Sequence, residues 1–251
     1  MELSQRLRMN ASFVTPGNRL ADVGTDHGYI PIALRLEGVI PSALAMDINP
    51  GPLERAKEHI RQFDLEADIH TRLSDGVQAL CPGEADSVLI AGMGGALTIK
   101  ILEAGKDVLS SVQELILQPQ SEIPHFRAFL MEEGYLLMDE NIIYEEGKYY
   151  FMMKVRWLGE MSEDAVSSEV KRSWLGESGD SSFSVLAKQY GAKLLLQRNR
   201  VLKEYLEKML ADRRQIAERL EQKADGRNPK TMQRSNEIKE EITFITHALE
   251  W

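Results

Sequence analysis

The segment Leu20-Ala21-Asp22-Val23-Gly24-Thr25-Asp26-His27-Gly28-Tyr29-Ile30-Pro31 constrains this chain more than any other. An apolar run ends in an acid and a glycine-punctuated turn, and a helical stretch follows. A second short apolar run, Ala43-Leu44-Ala45-Met46, then ends in Asp47. This is the opening of a βαβ nucleotide-binding unit. Gly24 and Gly28 let the backbone approach a ligand, Asp22 closes the first strand, and Asp47 stands where an acid takes two ribose hydroxyls. A dinucleotide needs its pyrophosphate on the helix N-terminus through G-x-G-x-x-G. Here Thr25-Asp26-His27 separates the glycines, and Asp26 repels a phosphate. The turn therefore suits an adenosine without phosphates, such as S-adenosylmethionine, and disfavours a nicotinamide dehydrogenase.

The rest of the chain extends this opening. Apolar positions Leu3, Leu7, Ala11 and Val14 recur at helical spacing. Strand-like runs are expected at 19–23, 43–46, 67–71, 87–91 and 114–118, with helical stretches between them, so the sheet is mostly parallel. A helix at 126–133 then leads into two consecutive strands, 135–143 and 148–157, joined by Glu145-Glu146-Gly147. They form an antiparallel hairpin closing the sheet, as in methyltransferases. Residues 159–184 read as a hinge with room for a short helix at 165–174. Beyond it Leu195, Leu202, Met209 and Ile216 recur every seven residues, with Leu206 and Leu220 flanking the seam, and Ile238, Ile242, Ile245 and Leu249 recur at four, three and four. Asp225-Gly226-Arg227-Asn228-Pro229 lies between the two stripes and reads as a helix stop and restart. The expected architecture is an α/β, Rossmann-like domain at 1–158 with a sheet closed by an antiparallel hairpin. A linker and a C-terminal antiparallel helical hairpin of coiled-coil type occupy 159–251.

Charge separates these halves. The net charge of −9 argues against nucleic acid only if spread evenly, and it is not: residues 1–158 carry all of it, while residues 188–234 carry a local excess of +7. An acidic domain thus bears a basic arm, whose charges either grip RNA phosphates or form only a solvated face of the hairpin. The single Cys81 excludes a disulfide scaffold and a cysteine metal site. His27 lacks a second ligand at metal spacing, and His59, His70, His125 and His247 read as surface or capping residues, so no metal is expected. With no signal peptide or apolar run of membrane-spanning length, the expectation is a cytoplasmic protein without a membrane partner, a monomer being favoured.

Two further strand exits add candidates. Ser74-Asp75-Gly76 offers an acid to an adenine amine, although a plain Asp-Gly turn accounts for it too. Ile90-Ala91-Gly92-Met93-Gly94-Gly95 ends the fourth strand at the topological switch point, where its glycines allow a cofactor and a flat base to lie against the main chain.

These stretches, taken with Leu3-Ser4-Gln5-Arg6-Leu7, Asp47-Ile48-Asn49-Pro50-Gly51-Pro52, Leu117-Gln118-Pro119 and Gly147-Lys148-Tyr149-Tyr150, resemble the bacterial TrmK family along essentially the whole chain. Its members methylate N1 of adenine 22 in tRNA with S-adenosylmethionine, using a class I methyltransferase domain and a C-terminal helical hairpin. The family usually reads Gln-Pro-Asn where this chain has Gln118-Pro119-Gln120, and residues 159–184 match it poorly. The resemblance implies a cofactor site of Asp22, Gly24, Thr25, Gly28, Asp47, Ile48, Asp75, Gly76, Ala91, Gly92 and Met93. For catalysis it implies Asp26 as acceptor of the charge developing on the base, His27 and Tyr29 shaping the pocket, and Gly94 supplying main-chain contact. For tRNA it implies Arg6, Gln118 and Pro119, with Arg198, Arg200, Arg213 and Arg214 on the arm. Two competitors remain at this point: a noncatalytic RNA-binding protein with a relic cofactor site, and a small-molecule methyltransferase.

Overall fold

The computed structural model describes residues 1–159, 163–176, 181–222 and 229–251. The chain divides into two units, Met1–Trp174 and Leu175–Trp251.

The first unit is built on a seven-stranded sheet. Strands β1 (Leu20–Val23), β2 (Ala43–Asp47), β3 (Ile69–Leu73), β4 (Ser87–Met93) and β5 (Glu114–Pro119) are followed by β6 (Tyr135–Glu145) and β7 (Lys148–Trp157). Their order is β3-β2-β1-β4-β5-β7-β6. The first five pair in parallel, β7 runs antiparallel to β5, and β6 pairs with β7. The expected sheet and closing hairpin are thus present. β1 and β5 are buried throughout, as strands covered on both faces must be, and their apolar runs follow from that burial. The order reverses between β1 and β4, where ligands of open α/β sheets bind.

Helices α1 (Gln5–Ser12), α2 (Tyr29–Leu36), α3 (Pro50–Gln62), α4 (Gly95–Ala104), α5 (Lys106–Leu109) and α6 (Ile123–Glu132) cover the sheet. Two polar anchors hold it. Glu114 accepts from Thr15 N at 2.8 Å and Ser87 Oγ at 2.7 Å, and lies 2.7 Å from Lys154 Nζ. Burial would raise its carboxyl, but these partners hold it below the usual range. The second anchor is Arg127 of α6, paired at 2.5 Å with Glu140 of β6, both side chains essentially inaccessible. Helix α7 (Glu163–Leu175) follows β7, and Trp174 donates its indole N–H to Tyr135 O at 2.6 Å.

The second unit holds α8 (Ser181–Tyr190), α9 (Ala192–Leu196), α10 (Arg200–Gln222) and α11 (Pro229–Glu250). The pairs Arg213–Glu241 and Glu221–Lys239 set α10 antiparallel to α11, which is the expected helical hairpin. The seven-residue stripe needs correction. Leu195 belongs to α9, cut off from α10 by Arg198 at φ 49°, and the buried stripe of α10 is Leu202, Leu206 and Leu210, with spacing of four. The expected stop at 225–229 falls largely outside the described residues.

Candidate active site at the strand ends

All the glycine turns and acids singled out above, except those of the arm, emerge at the carboxyl edge of the parallel strands. Gly24 (φ 77°) and Thr25 donate backbone N–H groups to Met46 O at 2.8 and 2.9 Å, which folds the first turn onto β2. Gly28 caps α2 in the left-handed conformation, at φ 68°. Asp22 is buried beneath this turn. Burial pushes its carboxyl up to about 6, against the pull of the neighbouring Thr25 hydroxyl and with the Asp47 charge adding to it. Asp47 accepts from Asn49 N at 2.7 Å, and its carbonyl takes the N–H of Ser74, joining the β2 and β3 exits. Ser74 Oγ donates to Gly76 O, leaving Asp75 exposed. Ile48 and Leu73 stand 57% and 58% exposed at these two exits, and Leu73 is paired with Asp47 across the strands.

The fourth exit meets the first. A Cβ on Gly24 would lie 2.3 Å from Met93 Cε, so the two turns are packed against each other. The β4–β5 register breaks between Ala91 and Met93, and Gly92 takes φ 82° there. Gln120 N donates to Met93 O, while Ser121 Oγ accepts from Gly95 N at the start of α4, next to Gly94. Arg6 reaches this loop from α1. Its Nη1 donates to Gln118 Oε1 at 3.1 Å, its guanidinium lies 5.4 Å from the Tyr150 ring centre, and a Cβ on Gly92 would be 3.9 Å from it. Glu145 secures the helix by accepting from Ser4 Oγ and Arg6 N.

Asp26, His27 and Tyr29 lie on the outer side of the first turn. His27 and Tyr29 rings stack at 4.9 Å, and His59 of α3 completes a three-ring cluster at 5.3 and 5.2 Å. His59 Nδ1 lies 3.0 Å from His27 O, so the half-buried His59 packs against the first turn and does not stand free on the surface. Asp26 is 3.3 Å from His27 Nε2 and 2.5 Å from Arg55 Nη2. His27 Nδ1 is buried without a hydrogen-bond partner. Arg55 and His59 escaped sequence reading, although their i,i+4 spacing puts them on one face of the helix that follows Asp47.

Gln118 and Pro119 are buried. They offer no surface to RNA, and Gln118 accepts a hydrogen bond from Arg6. On the second unit, Arg213 is tied to Glu241, Arg200 to Glu204 and Arg198 to Trp251 O, while Arg214 is exposed. Among the described residues no group of three His, Cys, Asp or Glu is placed to hold a metal ion, and no helix is long and apolar enough to cross a membrane.

Comparison with known proteins agrees with this geometry. The methyltransferase-domain family matches residues 3–153. The crystal structure of the tRNA methyltransferase TrmK of Bacillus subtilis superimposes with a TM-score of 0.79, at 31% identity over 99% of both chains. This chain belongs to the TrmK family. A curated tRNA (adenine(22)-N(1))-methyltransferase of Bacillus subtilis is 43% identical over 60% of this chain. The chain spans less than two thirds of the curated relatives it matches, 63% and 61%. A second structure, Sp1610 of Streptococcus pneumoniae in complex with S-adenosyl-L-methionine, is 30% identical over 99% of this chain and 100% of that one, with a TM-score of 0.76.

Proposed function

We propose that this chain transfers a methyl group from S-adenosylmethionine to N1 of adenine 22 in tRNA, giving 1-methyladenosine. The observation that carries the reading is that the likeness to a tRNA methyltransferase covers both units. A small-molecule methyltransferase with an unrelated arm would match over the first unit alone. The intact acids and glycines at all four strand exits favour an active enzyme over a relic site.

The residues present fit the cofactor. Asp47 is the acceptor for its ribose hydroxyls, Ile48 and Leu73 supply apolar cover for a flat ring, and the Asp75–Gly76 turn offers the adenine amine an acceptor. Gly24, Thr25, Gly28 and Ala91 to Met93 bring main chain close, and the buried Asp22 carboxylate gains a partner when a cationic ligand binds. When bound, S-adenosylmethionine supplies an electrophilic methyl.

Adenine N1 brings its own in-plane lone pair, so this chain need not create a nucleophile. Its task is to orient the base and to accept the charge that the base gains. Asp26 is the acceptor on the outer side of the turn. The cluster of His27, Tyr29 and His59 walls the pocket, Gly94 contributes main chain, and Arg6 is steadied by Gln118 and Tyr150 beside Gly92. A paired adenine hides its Watson–Crick edge, so the base must leave its stack to be reached. The basic residues of the second unit hold the phosphates of tRNA. Transfer of labelled methyl to an unmodified tRNA transcript, followed by nucleoside analysis, tests this: 1-methyladenosine at position 22 is expected. Cofactor binding without transfer to tRNA would overturn the reading.

A further inference from the structure

Asp26 has a partner that the methyl-transfer chemistry does not require. Arg55 reaches from α3 and places Nη2 2.5 Å from Asp26 Oδ1, with Arg55 46% and Asp26 66% exposed. The neighbouring cations of the same helix have other partners: Lys57 lies 2.6 Å from Glu54 and Arg61 3.6 Å from Glu66. Arg55 therefore differs from them in holding a carboxylate of the site itself. In that pairing Asp26 is neutralised and partly covered, which is the wrong state for a group meant to accept charge from a base.

Exposed ion pairs contribute little to stability, so this one separates at small cost. A phosphate can take the carboxylate's place on the guanidinium, since both pairings are charge-assisted and can be bidentate, and pairing with RNA also releases counterions condensed on it. Asp26 links Arg55 to the ring cluster, since it also lies 3.3 Å from His27 Nε2, and the stacked rings of His27, Tyr29 and His59 are a surface on which an unstacked nucleotide is held.

We propose that Arg55 binds a phosphate of the RNA strand that carries the target base, exchanging Asp26 for it, and that this exchange hands the Asp26 carboxylate to the base. The proposal rests on the tRNA reading above and on Asp26 as acceptor. It makes Arg55 a substrate-binding residue that positions Asp26 through its own change of partner.

The full-length protein with an unmodified tRNA transcript tests it. Arg55→Ala should raise the tRNA Kd about tenfold and reduce the slope of log Kd against log salt by about one. Its effect should fall on KM more than on kcat, and the Kd for S-adenosylhomocysteine should hold. Arg55→Lys, which keeps the charge, should recover part of the affinity, and Arg55→Gln gives a second neutral variant should alanine disturb the helix. Asp26→Asn carries the opposite signature: kcat falls while tRNA binds as tightly as before or more tightly, because Arg55 is released. An unchanged tRNA Kd and salt slope in both neutral variants would overturn the proposal. So would weaker tRNA binding by Asp26→Asn, which would make the pair a structural unit. A raised S-adenosylhomocysteine Kd with intact tRNA affinity would also overturn it, by moving Arg55 to the cofactor carboxylate. Failure of the unsubstituted chain to methylate tRNA would overturn this proposal and the reading beneath it together, and it shows before any substitution is made.

Discussion

Asp22 shows how the turn trades stability for binding. Its folded carboxyl titrates near 6 instead of 3.8 because burial penalises the charge. Below about 3.8 the carboxyl is protonated in both folded and unfolded chains and costs nothing. As pH rises from there to about 6 the unfolded chain releases its proton first, so stability falls over that window and stays lowered above it. Asp22→Asn should therefore raise Tm at pH 7, by up to about 3 kcal/mol of stability, with the gain vanishing near pH 4 and cofactor affinity reduced. Thermal melts at both pH values check this, and equal Tm for the two proteins at pH 7 would refute it. Asp47→Ala removes charged hydrogen bonds worth roughly 1.5–3 kcal/mol each. Calorimetry should show S-adenosylhomocysteine binding weakened at least about tenfold, with a small loss of Tm from the missing contact to Asn49 N. An unchanged Kd would take Asp47 out of the site.

At the scale of elements, the Arg127–Glu140 pair fastens α6 to β6 in the interior. Arg127→Met should cost about 3–5 kcal/mol in urea unfolding, because it strands a buried charge, and adding Glu140→Leu should restore much of it. A loss under 1 kcal/mol for the single variant would mean that water reaches Glu140. Which elements were legible in the sequence follows from where they lie. β1, β2, β4 and β5 are buried runs, and their apolar stretches mark them. β3 sits at the sheet edge with only Ile69 buried, so the period was too weak and the expected 67–71 fell two residues early. The acids at the strand exits were readable because a strand end fixes their place. Arg55 and His59 were not, since only the packing of α3 brings them to Asp26 and His27. The spacing of Leu195 and Leu202 fitted a heptad by number, but a spacing says nothing of a break such as that at Arg198.

For the whole molecule, the charge separation seen in the sequence runs along the two units. Arg214 is exposed, so Arg214→Glu should weaken tRNA binding several-fold and flatten its salt dependence while leaving Tm unchanged. Arg213→Glu sets a carboxylate against Glu241 and should lower Tm as well. Filter binding at several salt concentrations, with melts alongside, separates the two. Equal tRNA affinity and salt slope for Arg214→Glu and the parent would remove this face of α10 from the interface. The sheet order has a separate consequence for biosynthesis. β6 precedes β7 in the chain, yet it joins the sheet only through β7, and Glu114 waits for Lys154. On the ribosome, β5 therefore keeps a bare hydrogen-bonding edge until some forty residues beyond it have emerged. The nascent chain is most prone to stick to its neighbours in that interval, and a pause placed there would lengthen the exposure.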